Sequence, residues 1–315
     1  MNLYNLPEPF LALAPMDDVT DTVFRQIVAE LAPPDLMFTE FVNVDGLQSP
    51  GREKLMPKLW LSKKEGPVIA QVWGLKPENY FKTTQELKKM GFAGVDINMG
   101  CPVKTVIKNG ACAALINNRT LAADIIAAVQ EGAGADFPVS VKTRVGFTTV
   151  DTNWLEFLLG QKLNMLTIHG RTAKQLSKTP ADWDLIGKAR QMRDHTCPTT
   201  LIVGNGDVAS RAQAETLAKK YKLDGIMIGR GAFHDPFIFS EHSPWSKWGK
   251  DQKLELFAKH IKLHQATYKN GERKFEPLRK FCKVYINGFD GASQLREAFM
   301  KTHSPYEALE LLANR

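Results

Sequence analysis

The most specific string in this 315-residue chain is Asn98-Met99-Gly100-Cys101-Pro102. Pro102 biases Cys101 toward extended backbone, which would hold the thiol in one direction. A free thiol, with a pKa of ~8.5, stays mostly protonated at neutral pH and can donate a proton. Most cysteines are core residues, but the place of this one, after an apolar run and beside Asn98, points to function. Lys142, Arg144, His169 and Arg171 close two later runs. Together they would form a cationic, hydrogen-bond-donating wall, suited to an electron-rich ring and a phosphate where negative charge develops. As surface ion pairs each would be worth little; four on two neighbouring segments argue for a site. Gly204-Asn205-Gly206-Asp207 and Gly229-Arg230-Gly231 are glycine-rich turns that let backbone N–H groups approach a phosphate. Arg230 adds a charge beside a short helix expected over 232–239.

Positioning these residues requires a scaffold, and the chain up to residue 230 supplies one. Eight short β-rich runs (10–14, 36–39, 68–72, 94–97, 139–142, 165–169, 201–204 and 225–228) alternate with helix patterns. Phe24, Ile27, Val28 and Leu31 recur at helical spacing. Pro77 suits a first helical turn, with Tyr80, Thr84 and Leu87 on one face. Thr120 reads as an N-cap ahead of Leu121, Ile125 and Val129. Ser210 and Gln213 read as a capping box. Parallel strands need crossover helices, so the alternation predicts an α/β fold, a closed (β/α)8 TIM barrel. An open doubly wound sheet would show a glycine-rich turn after its first strand, and Ala14-Pro15-Met16-Asp17 is not one. In a barrel, chemistry sits at the C-terminal strand ends. Ala14, Pro15 and Met16 close the first run and Gln71 the third, so they join the candidate site.

After residue 240 the pattern changes. Residues 243–249 read as a linker, and helix patterns follow at about 251–269, 273–287, 293–302 and 305–313. Ser304, Pro305 and Glu307 give the last of these a strong start. The expected organisation is a barrel over 1–240 and a small C-terminal helical bundle over 245–315. The formal net charge is +7, of which residues 245–315 carry +6. That asymmetry suggests a basic module meeting a polyanion, although charge alone also fits a merely soluble surface. The 273–287 pattern carries Arg273, Lys274, Arg279, Lys280 and Lys283, with Phe275, Phe281 and Tyr285 interleaved. Basic residues there could track phosphates while the aromatics pack the bundle or stack on bases. His260 and His264 lack a third ligand and read as a packed or solvated helix face, so no metal is expected. Cys112, Cys197 and Cys282 have no partner spacing and read as structural. No apolar run approaches the ~18 residues that span a bilayer, and Met1 to Phe10 lacks the basic residues of a signal peptide. A reduced, cytoplasmic protein without membrane contact is expected.

Taken in order, these residues resemble the tRNA-dihydrouridine synthases. The resemblance runs through Ala14-Pro15-Met16, Gln71-Val72, Asp96-Ile97-Asn98-Met99-Gly100-Cys101-Pro102, Lys142-Thr143-Arg144, His169-Gly170-Arg171-Thr172 and the two glycine-rich turns. The length and the tail, including 278–286, look most like the bacterial C subgroup, which acts on position 16 of the tRNA D-loop; another D-loop uridine is the alternative. The resemblance implies FMN as cofactor, NADPH as reductant, and reduction of the uracil C5–C6 double bond in tRNA. Hydride passes from reduced flavin to C6, charge develops toward O4, and Cys101 protonates C5. It further implies that Ala14, Pro15, Met16 and Gln71 line the flavin and that Asn98 contacts uracil and flavin. Lys142 would contact the isoalloxazine, with His169 near it. Asn205, Gly206, Asp207, Gly229 and Arg230 would hold the phosphate. Arg144 and Arg171 would hold the uracil, which must leave its stack to react. Arg273, Lys274, Arg279, Lys280 and Lys283 would meet tRNA phosphates. One departure is Lys108-Asn109-Gly110-Ala111-Cys112, where a glycine-rich loop is expected; Cys112 has no evident role there. A monomer is expected. The rival readings are an FMN barrel enzyme acting on a free pyrimidine, which would not need the basic tail, and a non-catalytic tRNA-binding protein. A third is an aldolase-type barrel using Lys142 as a Schiff base.

Overall fold

Strands in a barrel are covered on both faces, so they read as unbroken apolar runs rather than alternating ones. The computed structural model, which describes residues 2–314, builds nine strands, most of them on such runs, with polar residues interrupting β5 and β6. They are β1 (Phe10–Leu13), β2 (Leu36–Phe38), β3 (Val42–Asn43), β4 (Val68–Trp73), β5 (Gly94–Met99), β6 (Val139–Arg144), β7 (Met165–His169), β8 (Leu201–Asn205) and β9 (Gly225–Ile228). All pairings are parallel. β1 pairs with both β2 and β9, and β2 pairs with β4, so eight strands close into a (β/α)8 TIM barrel. β3 is a two-residue addition beside β4 that no sequence pattern announced. β5 runs on to Met99 and β6 to Arg144, so Asn98, Lys142 and Arg144 lie within the ladder, where hydrogen bonding fixes their direction.

Caps explain several helix starts and correct others. Asp21 accepts from the Phe24 N–H at the head of Thr22–Leu31, and Pro77 opens Pro77–Lys89. Asn118, not Thr120, caps Arg119–Ala133: its carboxamide accepts from Leu121 N at 3.2 Å, which puts Thr120 inside the first turn. Ser210 accepts from Gln213 N as a cap should, but the Gln213 side chain accepts from Ala209 N, one residue early for a reciprocal box. Ser304 caps Pro305–Ala313. The short helix after β9 is Arg230–His234 rather than 232–239.

The C-terminal region is helical: Lys250–Thr267, Ala292–Met300 and Pro305–Ala313 surround a broken segment. That segment corrects the continuous helix expected over 273–287. It is a 3-10 turn, Glu276–Phe281, followed by a single α-turn, Cys282–Tyr285. Pro277 stands in the first turn, where it supplies no N–H. Phe275, Phe281 and Tyr285 are buried. Tyr285 stacks on Phe257 with ring centroids 4.8 Å apart, and Phe281 packs on Phe24 of the barrel helix at 5.3 Å. These rings are core, not platforms waiting for bases. His260 and His264 are buried as well, and His260 Nδ1 lies 3.0 Å from the Tyr285 hydroxyl. Phe24, Ile27, Phe257, Ile261 and Phe281 share one apolar cluster, so the core runs unbroken from barrel to tail. Each such burial stabilises by about 1.5–3 kcal/mol. No single helix among the described residues is long and apolar enough to cross a membrane.

Candidate active site

The C-terminal strand ends surround a cavity of about 430 Å³, within the range of cofactor and ligand pockets. Its wall includes Ala14, Pro15, Met16, Pro102, Lys142, Arg144, His169, Asn205, Gly206, Asp207, Gly229 and Arg230. A larger hollow of about 940 Å³ opens at the strands' N-terminal ends, between Pro7, Pro33, Arg211 and Lys222. In this fold that end serves stability, and none of the residues singled out for chemistry reaches it.

The loop carrying the thiol is held from both sides. Asn98, at the end of β5, accepts with Oδ1 from Gly100 N (3.1 Å) and Cys101 N (2.9 Å), and donates with Nδ2 to Gln71 Oε1 on β4 (2.9 Å). From β6, Arg144 donates through Nε to Gly100 O at 2.8 Å. Gly100 lies so close to β6 that a Cβ there would sit 3.2 Å from the Thr143 carbonyl carbon. Cys101 thus emerges partly exposed next to Pro102 at the cavity rim.

Its thiol pKa is lowered to about 7. The main cause is a hydrogen bond from the Cys112 thiol; burial opposes it, and the Val103 N–H and the Arg144 charge assist. Cys112 is fully buried, and its φ is +53°, unusual for a side-chain-bearing residue. Burial and the neighbouring sulfur push its own pKa well up, so it keeps its proton and donates. Cys112 is thus the buried cysteine expected, and it lies beside the Cys101 loop, which its spacing did not announce. A backbone contact, Ala113 N to Cys101 O at 3.4 Å, joins the two loops.

Of the four members expected in the cationic wall, Lys142 and Arg144 carry charge at the cavity. Burial, then the Arg144 charge, lowers Lys142 to about 8. Burial lowers Arg144 to about 10, still protonated at neutral pH. His169, pressed by burial and by Lys142, Arg144, Arg171 and Arg230, is lowered to about 2 and is neutral. Its Nε2 lies 3.2 Å from Arg171 Nη1, and arginine can only donate, so the ring proton belongs on Nδ1. Arg171 departs from the expected substrate contact. It is 3% exposed and is taken up by the Asp207 carboxylate and the Thr179 carbonyl. Asp207 in turn accepts from Arg230 at 2.8 Å and from Ala181 N at 2.9 Å, so its carboxylate is committed inside the protein.

The glycine-rich turns meet the same wall. Gly206 has φ +135°, and a Cβ there would come within 2.5 Å of Ala181 Cβ and 3.1 Å of the His169 ring, so only glycine closes this turn. Asn205 donates to Met227 O at 2.8 Å, tying β8 to β9. The Arg230 side chain is 61% exposed beside Gly229. The donor set fits a flat aromatic cofactor with a phosphate: cations and turn N–H groups at one end, Met16 and Leu176 along the cavity. Thr167, in register with Lys142, adds a fully buried hydroxyl that has no partner among the described residues.

The basic tail residues divide. Arg273 is drawn into the protein: it pairs with the fully buried Glu40 and with Asp18, whose oxygen lies 3.3 Å away. Arg279 donates to the carbonyls of Met300 (3.0 Å) and Thr302 (3.3 Å). Both guanidiniums thus have internal partners in this structure, whatever they present to RNA. Lys280 is part-exposed, 3.4 Å from Asp18. Lys274 and Lys283 are exposed. Asp17, Asp18 and Glu40 gather their oxygens within 4.8 Å of one another, and Lys58, Arg273 and Lys280 supply the counter-charge.

Residues 12–315 match the family model described as "Dihydrouridine synthase (Dus)". The chain is 45% identical over 310 residues to the "Probable tRNA-dihydrouridine synthase" of Staphylococcus aureus, covering 98% of this chain and 93% of that one. It is 44% identical over 310 residues to the "Probable tRNA-dihydrouridine synthase 2" of Bacillus subtilis, covering 98% and 94%. Among solved structures it is similar in fold to morphinone reductase, with a TM-score of 0.53 and 14% identity over 78% of this chain and 91% of that one.

Proposed function

This chain belongs to the dihydrouridine synthase family, and we propose that it reduces the C5–C6 double bond of a D-loop uridine in tRNA, at position 16. The cofactor is FMN and the reductant NADPH. The observation that carries the reading is the thiol of Cys101, tuned close to neutral pH, at the rim of a cation-walled cavity of cofactor size. A bound flavin supplies hydride for C6. Cys101 supplies the proton for C5, and a donor whose pKa lies near the working pH is well matched to that task.

The other residues bind and orient. Ala14, Pro15, Met16 and Gln71 line the ring, while Asn205, Gly206, Gly229 and Arg230 form the phosphate end, with the Asp207 carboxylate holding Arg230 in place. Lys142 and the neutral His169 face the cofactor, and developing charge on the uracil meets positive groups already fixed in place. Asn98 holds the donor loop and contacts the base. Arg144 serves twice: its Nε fixes Gly100 and its charge sits beside the uracil. Residues 1–240 form the catalytic unit. Residues 245–315 form the tRNA-binding unit, with Lys274, Lys280 and Lys283 presenting charge to phosphate. A cytoplasmic monomer completes this reading.

The test uses purified protein, NADPH and an unmodified tRNA transcript, with dihydrouridine mapped by position. Dihydrouridine at position 16 is the expected result. Its appearance elsewhere overturns the position, and NADPH oxidation with no dihydrouridine overturns the substrate.

A further inference from the structure

Asp96 belongs to none of the roles above, yet it is fully buried inside the barrel. It is the register partner of Gln71 on β4 and of Ser140 on β6. Its Oδ2 accepts from Gln71 Nε2 at 2.7 Å and its Oδ1 from the Ser140 hydroxyl at 2.6 Å. Gln71 then presents Oε1 to Asn98 Nδ2 at 2.9 Å, and Asn98 presents Oδ1 to the N–H groups of Gly100 and Cys101. One hydrogen-bonded line thus runs from the barrel interior to the loop that carries the thiol.

We propose that Asp96 is a positioning residue for the reaction: its carboxylate fixes which way the Gln71 and Asn98 carboxamides face, and so holds Cys101 in its working geometry. The inference rests on the reading of Cys101 as proton donor. A carboxamide has two unlike ends, and each link of the line depends on the one before. A carboxylate can only accept, so Gln71 must turn its NH2 inward and its oxygen toward Asn98. Asn98 must then turn its NH2 to Gln71 and its oxygen to the loop. Were Gln71 to flip, its NH2 would face the Asn98 NH2; Asn98 would flip in response and set NH2 against two backbone N–H donors. Burying a carboxylate is costly unless it is hydrogen-bonded, and here both oxygens are. Burial raises its pKa to about 6, against the Ser140 and Gln71 hydrogen bonds and the Lys142 charge, which leaves it ionised at neutral pH.

The geometry distinguishes two variants that fill nearly the same space. In Asp96→Asn the new amide can keep its oxygen on Gln71 and donate to Ser140 Oγ. The Ser140 hydroxyl then turns to the Val95 carbonyl, 3.5 Å away. In Asp96→Asn with Ser140→Ala, the new amide keeps only Gln71 as a partner and can present either end to it, so the inner end of the line no longer enforces its polarity. Both holoenzymes would be compared with wild type in single-turnover reduction of unmodified tRNA, in KM for tRNA, and in iodoacetamide alkylation of Cys101 against pH, followed by peptide mass. Asp96→Asn should stay within about threefold of wild type, while the double variant should lose about tenfold or more in turnover with KM for tRNA little changed. Its Cys101 alkylation profile should shift along the pH axis as well. A double variant with wild-type turnover and alkylation overturns the proposal. So does Asp96→Asn falling as far as the double variant, because charge rather than orientation would then matter. Full turnover in Cys101→Ala would instead remove the donor reading, and the alkylation comparison would still judge the line from Asp96.

Discussion

The barrel mouth and the helical tail hold positive charge in opposite states. In the mouth burial lowers the pKa of Lys142, Arg144 and His169; the Arg144 charge lowers Lys142 further, and Lys142 and Arg144 together help keep His169 neutral. At the tail's contact with the barrel the sign reverses. Burial works against Arg273, yet the Glu40 carboxylate holds it well above its ordinary pKa. Lys259 meets Glu30 and Lys280 meets Asp18 in the same seam. The mouth is left short of negative charge, which suits the phosphate of the proposed cofactor. The seam is already neutralised and works as a joint. Counting lysines and arginines in the tail therefore overstates what is available to RNA.

The sharpest way to break this comparison is at Arg273. Arg273→Met should leave Glu40 buried without its main partner and cost about 3 kcal/mol, near the low end for a broken buried pair because Lys58 remains 3.7 Å away. Urea unfolding would read it. Stability within about 0.5 kcal/mol of wild type, the range of an ordinary surface change, would show that the seam does not depend on this pair. A smaller effect is expected at the free cations. Lys274→Glu with Lys283→Glu should weaken tRNA binding about tenfold at moderate salt and flatten its salt dependence, while FMN content stays unchanged. Unchanged affinity would take the exposed tail face out of the RNA contact. Smallest is the thiol pair. In wild type, iodoacetamide alkylation of Cys101 should reach half its maximum near pH 7. Cys112→Ala should move that midpoint toward the free-thiol value of ~8.5, and Cys112→Ser, which keeps a donor, should move it back. A midpoint insensitive to Cys112 would deny the hydrogen bond any part in tuning Cys101. The sign follows from the lowered pKa. The donor holds its proton below pH 7 and loses it above, so turnover should fall as pH rises through about 7.

How much the chain disclosed in advance follows the same division. The eight barrel strands were legible because short, largely apolar segments alternate with helical patterns. Cys101, Lys142, Arg144 and His169 were legible because a strand end in a barrel has only one place to be. Asp96 carried a signal that went unread: it lies two residues before Asn98, and side chains two apart on a strand share a face. Gln71 and Asn98 pointed to that interior from their own strands. The partners of Arg273 were not legible, since Glu40 lies 233 positions away and nothing local joins them. The Cys101–Cys112 contact depends on how a loop folds back, with Cys112 at positive φ, and no periodicity encodes that. The 273–287 segment misled because helical spacing of its apolar residues survived a break at Pro277.

The most direct test of the central claim, that Cys101 gives the proton in a cavity the rest of the mouth has organised, is single-turnover reduction by the flavin-loaded, pre-reduced protein of unmodified tRNA. Wild type and Cys101→Ala would be compared, with dihydrouridine formation and flavin reoxidation followed together. Cys101→Ala should retain its flavin and its tRNA affinity and lose about a hundredfold or more in dihydrouridine formation, the scale of a missing general acid. Dihydrouridine formed at the wild-type rate in Cys101→Ala would contradict the account.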